Sequence, residues 1–199
     1  MYKRQILNNQ LSFSGGTDKL KAYASVNYFD QDGVVVNSGF NKLTFLSNFE
    51  AKVTDKLTLG LNLFVGRSNQ DGTSSQSSGT NANGGSDDVV SGSIRFSPDI
   101  GFYNEDGTAT GSSINPELEN PYVIATEIVN ETEIDEFRGN MFFNYQILES
   151  LSLRSSFGLN TINGRIGFFV PNIFNNSTSE GARLTFNSCL LYTSDAADD

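Results

Sequence analysis

The chain has no histidine, no tryptophan and a single cysteine, Cys189, in 199 residues. Without histidine there is no Ser-His or Cys-His nucleophilic pair, no histidine general base and no histidine-bearing zinc site. One cysteine excludes an internal disulfide framework and any CxxC redox or zinc motif. Charge is scarce too: Asp, Glu, Lys and Arg make up 18% of the chain, below the ~25% usual for soluble domains. What charge there is leans acidic, 23 Asp+Glu against 13 Lys+Arg for a net of −10. A nucleic-acid backbone requires a basic footprint, so that partner is excluded. No run approaches the ~18 consecutive apolar residues of a transmembrane helix, and no apolar stretch of a signal peptide follows Met1-Tyr2-Lys3-Arg4-Gln5. No G-x-S-x-G elbow, phosphate loop or dinucleotide fingerprint occurs. Nothing in the sequence reads as catalytic or as a cofactor site.

What is present is alternation with period two, the signature of strands with one apolar face. Leu20–Tyr28 places Leu20, Ala22, Ala24, Val26 and Tyr28 on one side. Lys42–Val53, Leu57–Gly66, Phe137–Ile147 and Leu151–Asn160 behave the same way, with rows such as Leu57, Leu59, Leu61, Leu63 and Val65. Weaker strands open the chain at Leu7–Phe13 and close it at Ala182–Phe186. No apolar row contains a charge, and the opposite rows are mostly Asn, Ser, Thr and Gly rather than Lys and Glu. The connections alternate in length. Short ones (Gly15–Lys19, Thr54–Lys56, Glu149–Ser150) are expected at one end of an up-and-down sheet, and long ones (Asp32–Asn41, Arg67–Glu136, Asn163–Gly181) at the other. This is the plan of a transmembrane β-barrel, apolar-out and polar-in, with aromatic girdles expected from Tyr28, Phe29, Phe40, Phe49, Phe64, Phe137 and Tyr145. The alternative is a secreted β-sandwich surface-binding module, an adhesin or lectin-like domain. The scarcity of Lys and Glu on the polar rows favours the barrel.

Residues 68–136 form one long acidic connection. Its acids are Asp71, Asp87, Asp88, Asp99, Glu105, Asp106, Glu117, Glu119, Glu127, Glu131, Glu133, Asp135 and Glu136, against Arg95 alone. Ser68–Ser86 is nearly all Ser, Asn, Gln, Gly and Thr and is expected to be flexible. Beyond Asp87, apolar residues from Val89 to Tyr103 suggest a folded subsegment, with a helical turn or two near Pro121–Asn130 carrying Tyr122, Ala125 and Val129 on one face. Asn104-Glu105-Asp106-Gly107 falls short of an EF-hand loop. The pair Asp87/Asp88 lacks a pocket partner for acid–base work. A solvated loop is the expected state of this charge, and no metal ligand set is assigned. Arg67, Arg95, Arg138, Arg154 and Arg165 have the chemistry to meet anionic solute groups, although arginines in a barrel lumen are commonly paired within the wall. No single position is assigned to substrate.

Several ordered pieces carry a family resemblance. They are Asn9-Gln10-Leu11-Ser12-Phe13-Ser14-Gly15-Gly16-Thr17-Asp18-Lys19, Tyr23-Ala24-Ser25-Val26-Asn27-Tyr28-Phe29 with Asp32-Gly33, Asn48-Phe49-Glu50-Ala51-Lys52-Val53-Thr54-Asp55-Lys56-Leu57, Tyr103–Gly107, and Asn120-Pro121-Tyr122 leading into a strand. Together they resemble the barrel of the SusC/RagA family of TonB-linked outer-membrane transporters, over nearly all of residues 6–187. The resemblance implies a multi-pass barrel in the bacterial outer membrane, importing oligosaccharides or peptides. Its implied partners are outer-membrane lipid, a SusD-like surface lipoprotein and the TonB complex. Residues 1–5 and 188–199 look like translated adapter sequence, a non-native head and tail. The piece between them is expected to be an incomplete barrel with no plug and no TonB-contacting segment.

Overall fold

The computed structural model describes residues 5–72, 89–112, 118–173 and 181–198. The Asp87/Asp88 pair, Glu117 and most of the Ser68–Ser86 run lie outside them. Seven strands follow one another in a single antiparallel sheet: β1 (Ile6–Gly16), β2 (Leu20–Asp32), β3 (Gly39–Lys52), β4 (Leu57–Asp71), β5 (Val129–Leu148), β6 (Leu151–Val170) and β7 (Gly181–Asp198). Each strand pairs with its neighbours in sequence. A sandwich would need a second sheet over the first, and the described residues form one sheet only. No helix among them is long and apolar enough to cross a membrane, which leaves crossing by strands open.

Register turns the alternating rows into two continuous faces. Val26 pairs Phe45, Phe45 pairs Val65, Val65 pairs Phe137 and Phe137 pairs Thr161, so apolar rows of successive strands lie side by side. A one-residue slip anywhere would turn a whole row to the other face, so this alignment is strongly specified. Leu61, Met141 and Phe157 stay 44%, 51% and 48% exposed at the centre of the apolar face. No part of the described protein covers them.

The strands run further than alternation indicates. β4 continues to Asp71 and β5 begins at Val129, so both ends of the expected 68–136 connection are strand, and the two strands pair directly from Arg67↔Asp135 to Asp71↔Glu131. β5 and β6 are 20 residues each. The alternation faded from view because, above Val65 and Phe137, the formerly apolar row becomes Arg67, Asn69 and Asp71 facing Asp135, Glu133 and Glu131. The ladder persists while its hydrophobic marker stops. Residues 188–198 continue β7 against Leu153–Asn163. Any extended segment beside an unpaired edge can pair in this way, so the non-native origin of residues 1–5 and 188–199 stands as a proposal.

Between β4 and β5 sits a small helical module. α1 (Val89–Arg95) and α2 (Pro121–Glu127) pack together with Ala109 and Leu118. α2 buries Val123, Ile124 and Ala125, so of the Tyr122–Ala125–Val129 face its spacing suggested only Ala125 is inside. Tyr122 instead stacks on Phe102, with ring centroids 4.1 Å apart and planes 19° apart. A seven-residue helix enclosed on most sides has no simple polar face to read.

Candidate functional site: polar wall and loop module

The polar face of the sheet is built from the rows opposite the apolar ones. At its middle level Tyr23, Asn48, Asn62, Asn140 and Gly158 are consecutive register partners. Two arginine–aromatic pairs flank this level. The Arg138 guanidinium lies 5.5 Å from the Phe64 ring centroid, and that of Arg154 lies 5.0 Å from the Phe142 ring. Arg138 also forms an ion pair with Glu136, two residues before it. Lower down, Lys21 and Glu50 face each other at 3.9 Å. Phe142 lies flat because its register partner is Gly60, where a side chain would overlap the ring. The wall therefore offers amide, hydroxyl, aromatic and guanidinium groups, the set that hydrogen-bonds and stacks on polar solutes.

Register divides the candidate arginines by strand parity. Arg138 and Arg154 are on the polar face, whereas Arg67 and Arg165 belong to the apolar-face rows, above their greasy part. Arg95 closes the last turn of α1. The aromatic residues divide as well. Tyr28, Phe49, Phe137 and Tyr145 are in the apolar-face rows, while Phe29, Phe40 and Phe64 are in the polar-face rows. Only the first group can form the expected girdle. The sequence contained the signal for this division, since parity follows from position number once the ladder is known to be unbroken.

The loop module is mounted on the polar side of the sheet. Its core of Val89, Ala109, Val123, Ile124 and Ala125 includes Val170 and packs against Phe168 of β6, both in polar-face rows, and against Val35 between β2 and β3. The Ala109 N–H donates to the Ile173 carbonyl at 2.8 Å. Asn120 is the hidden organiser. Its Oδ1 accepts from the Tyr122 N–H at 3.0 Å, capping α2, and its Nδ2 donates to Thr110 Oγ1 at 3.0 Å and the Gly101 carbonyl at 3.2 Å. Sequence reading placed Asn120 only as part of a motif, because an asparagine's burial has no local signature.

Several of the loop acids among the described residues have structural partners. Tyr103–Gly107 forms a tight hairpin closed by the Tyr103↔Ala109 bridge, with Gly107 at φ 84°, a value that favours glycine. The Thr108 hydroxyl and N–H both donate to Asp106, which holds its carboxyl below the usual range. The Ser97 hydroxyl does the same for Asp99. Tyr103 donates to Glu127 at 2.7 Å, and that bond raises the phenol's pKa. Among the described residues no three ligand-type side chains converge as a metal site would require.

A one-sheet wall with an unbroken apolar face, short turns below and a folded module above is the architecture of an outer-membrane barrel segment. No family model matches the chain. Among curated proteins it is similar to TonB-dependent receptor P3 of Formosa agariphila, 43% identical over 181 residues, which cover 91% of the chain and 18% of the receptor. TonB-dependent receptor P26 of the same organism is 31% identical over 154 residues, covering 76% and 14%. Among solved structures, the RagAB peptide importer matches in its closed-closed state with TM-score 0.64, 23% identity and coverage of 95% of this chain and 21% of that one. Its open-open state matches with TM-score 0.66, 20% identity, and 96% and 21% coverage. The chain thus spans about a fifth or less of the length of these relatives. By sequence it is a relative of TonB-dependent receptors over a part of their length, its fold is that of the matching piece of the RagAB importer, and those curated relatives are receptors rather than enzymes.

Proposed function

We propose that the chain forms wall and extracellular mouth of an outer-membrane TonB-dependent transporter that imports oligosaccharides or peptides. The observation that carries this reading is the apolar face. The nine-residue spans Leu57–Val65 of β4, Phe137–Tyr145 of β5 and Leu20–Tyr28 of β2 each carry a charge-free row of five residues on this face. At ~3.3 Å per residue and a tilt of ~40°, such a row stands about 20 Å tall, close to the ~25 Å apolar band of outer-membrane barrels. Lipid covers that face, and the polar face lines the solute path. A SusD-like lipoprotein covers the mouth, and the TonB complex supplies energy through other parts of the complete receptor.

The test uses the full-length receptor in vesicles. Single cysteines replacing Leu61 or Met141 are expected to react with a lipid-phase label and resist an aqueous one, and one replacing Asn62 is expected to do the reverse. Reaction of Leu61→Cys with the aqueous label alone would overturn the reading. Growth of a receptor-deleted strain on defined oligosaccharides or peptides then separates the two substrate classes by which uptake is lost.

A further inference from the structure

Phe29, Phe40 and Phe64 stand in polar-face rows, opposite the apolar face, where a girdle has no use for them. Phe64 carries the Arg138 guanidinium over its ring. Phe40 is placed differently, near the upper end of the wall. Its two register partners are Gln31 of β2 and Gln70 of β4, so an aromatic residue stands between two amides on one level of one face. Phe29, one level lower, braces the Phe40 ring with centroids 6.0 Å apart and planes tilted by 58°.

Gln31, Phe40 and Gln70 line a cleft of about 290 Å³, together with Gly33, Ser38 and Asp71. That size lies at the lower end of small-molecule sites. The β2–β3 turn holds one side of the cleft in place. The Gly33 N–H donates to the Ser38 carbonyl at 2.8 Å, and a side chain at Gly33 would overlap the Ser38 hydroxyl. That hydroxyl donates to the Val35 carbonyl at 2.7 Å, and Val35 packs on the core of the helical module. Among the described residues neither glutamine amide has a hydrogen-bond partner. No residue lining the cleft is basic, and none belongs to 1–5 or 188–199.

These groups select among solutes. A glutamine amide is donor and acceptor at once, which suits neighbouring sugar hydroxyls, each also donor and acceptor. The negative face of a phenyl ring attracts the polarised C–H groups on the flat side of a pyranose. The backbones of Gln31, Phe40 and Gln70 are already paired in the ladder, so an extended peptide finds no free strand edge there. Asp71 disfavours carboxylate and sulfate groups, with no base in the cleft to offset it.

We propose that Gln31, Phe40 and Gln70 form a subsite for one uncharged pyranose unit of an oligosaccharide at the extracellular mouth. The sugar ring stacks on Phe40, and its hydroxyls bridge to the two amides. This inference rests on the transporter reading and narrows its solute to neutral oligosaccharides.

The full-length receptor in detergent is titrated calorimetrically with neutral hexasaccharides of glucose, mannose, galactose and xylose, with the galacturonic acid hexasaccharide, and with a mixed hexapeptide pool. At least one neutral hexasaccharide is expected to bind about tenfold more tightly than the acidic one and the peptides. Phe40→Leu keeps an apolar side chain without the ring and is expected to weaken that binding about tenfold, the scale of one stacked ring. Phe40→Tyr is expected to preserve it. Gln31→Ala/Gln70→Ala is expected to weaken it by a similar factor. Heat-modifiable migration shows that the variants fold. The proposal is overturned if no neutral hexasaccharide binds up to millimolar concentration, or if the acidic one or the peptides bind better. Neutral-sugar binding left unchanged by Phe40→Leu or by the double glutamine variant overturns it too. Labelling of Leu61→Cys in vesicles of the same receptor separates the two readings. Lipid-phase reaction without neutral-sugar binding removes the subsite alone, and aqueous reaction alone removes the lipid-facing wall as well.

Discussion

At the scale of single residues, a few positions hold much of the local geometry. Gly60 leaves room for the Phe142 ring, and Phe142 in turn sits beneath Arg154. Gly60→Val is expected to cost the full-length receptor about 1–3 kcal/mol, typical of overpacking, read as a lower temperature for the heat-modifiable shift on gels. Adding Phe142→Ala should recover much of that loss, whereas strain unrelated to the ring would persist. Asn120 serves the module similarly. Asn120→Ala removes the α2 cap and leaves the Tyr122 N–H without its acceptor, while the Thr110 hydroxyl still donates to the Gly101 carbonyl. It is expected to loosen residues 101–112 and 118–127 by about 1–2 kcal/mol, read as faster amide exchange confined to those segments. Asp106 gives a pH signature. Its carboxyl titrates below its unfolded value because the Thr108 groups donate to the charged form. The stabilisation is therefore complete above the ordinary carboxylate pKa of about 3.9 and is lost as pH falls through the lowered folded value. The Thr108 amide resonance should report this step, and Asp106→Asn should abolish it.

At the scale of elements, the strands show what the sequence could and could not disclose. Period two located all seven strands, six by an apolar row over the lower part and β7 by Ala182, Leu184 and Phe186 in its upper part. It missed the upper parts of β4, β5 and β6, because Arg67, Asp135 and Arg165 occupy positions where the pattern had promised apolar side chains. A strand leaving hydrocarbon for water keeps its hydrogen bonds and loses its hydrophobicity, so the residues mark the solvent boundary and not the end of the element. By sequence alone the same residues count as loop charge, and register brings them together as pairs. Asn120 and the buried side of α2 are unreadable for a different reason: Asn120 is held by Gly101 and Thr110 of its own module, and α2 is covered by Val170 and Phe168 of β6 and by Val35 of the β2–β3 loop, contacts that no local pattern marks. Facing is open to direct test. Leu61→Arg is expected to destabilise the full-length receptor by about 2–4 kcal/mol, the cost of a base on the lipid side near the midplane. Asn62→Arg, one residue on, should cost far less. Equal penalties in a chemical-denaturant refolding assay in vesicles would contradict the assignment of faces.

At the scale of the whole molecule, a seven-stranded sheet has two open edges, β1 and β7, and lipid offers nothing to satisfy them. The segment expressed alone is expected to need detergent to remain in solution, and to melt without a cooperative transition in circular dichroism. On the proposed reading, neighbouring strands of a complete receptor would close those edges. The long β5–β6 hairpin has a further consequence. From Phe137 to Val129 it rises eight residues, about 26 Å of strand at ~3.3 Å each, and it carries the helical module on Phe168 and Val170. Stalk length is therefore quantised. Removing two residues from each limb would lower the module towards the bilayer while keeping it over the channel. Removing one from each would swing its seat round to the outside, leaving the entrance without its roof.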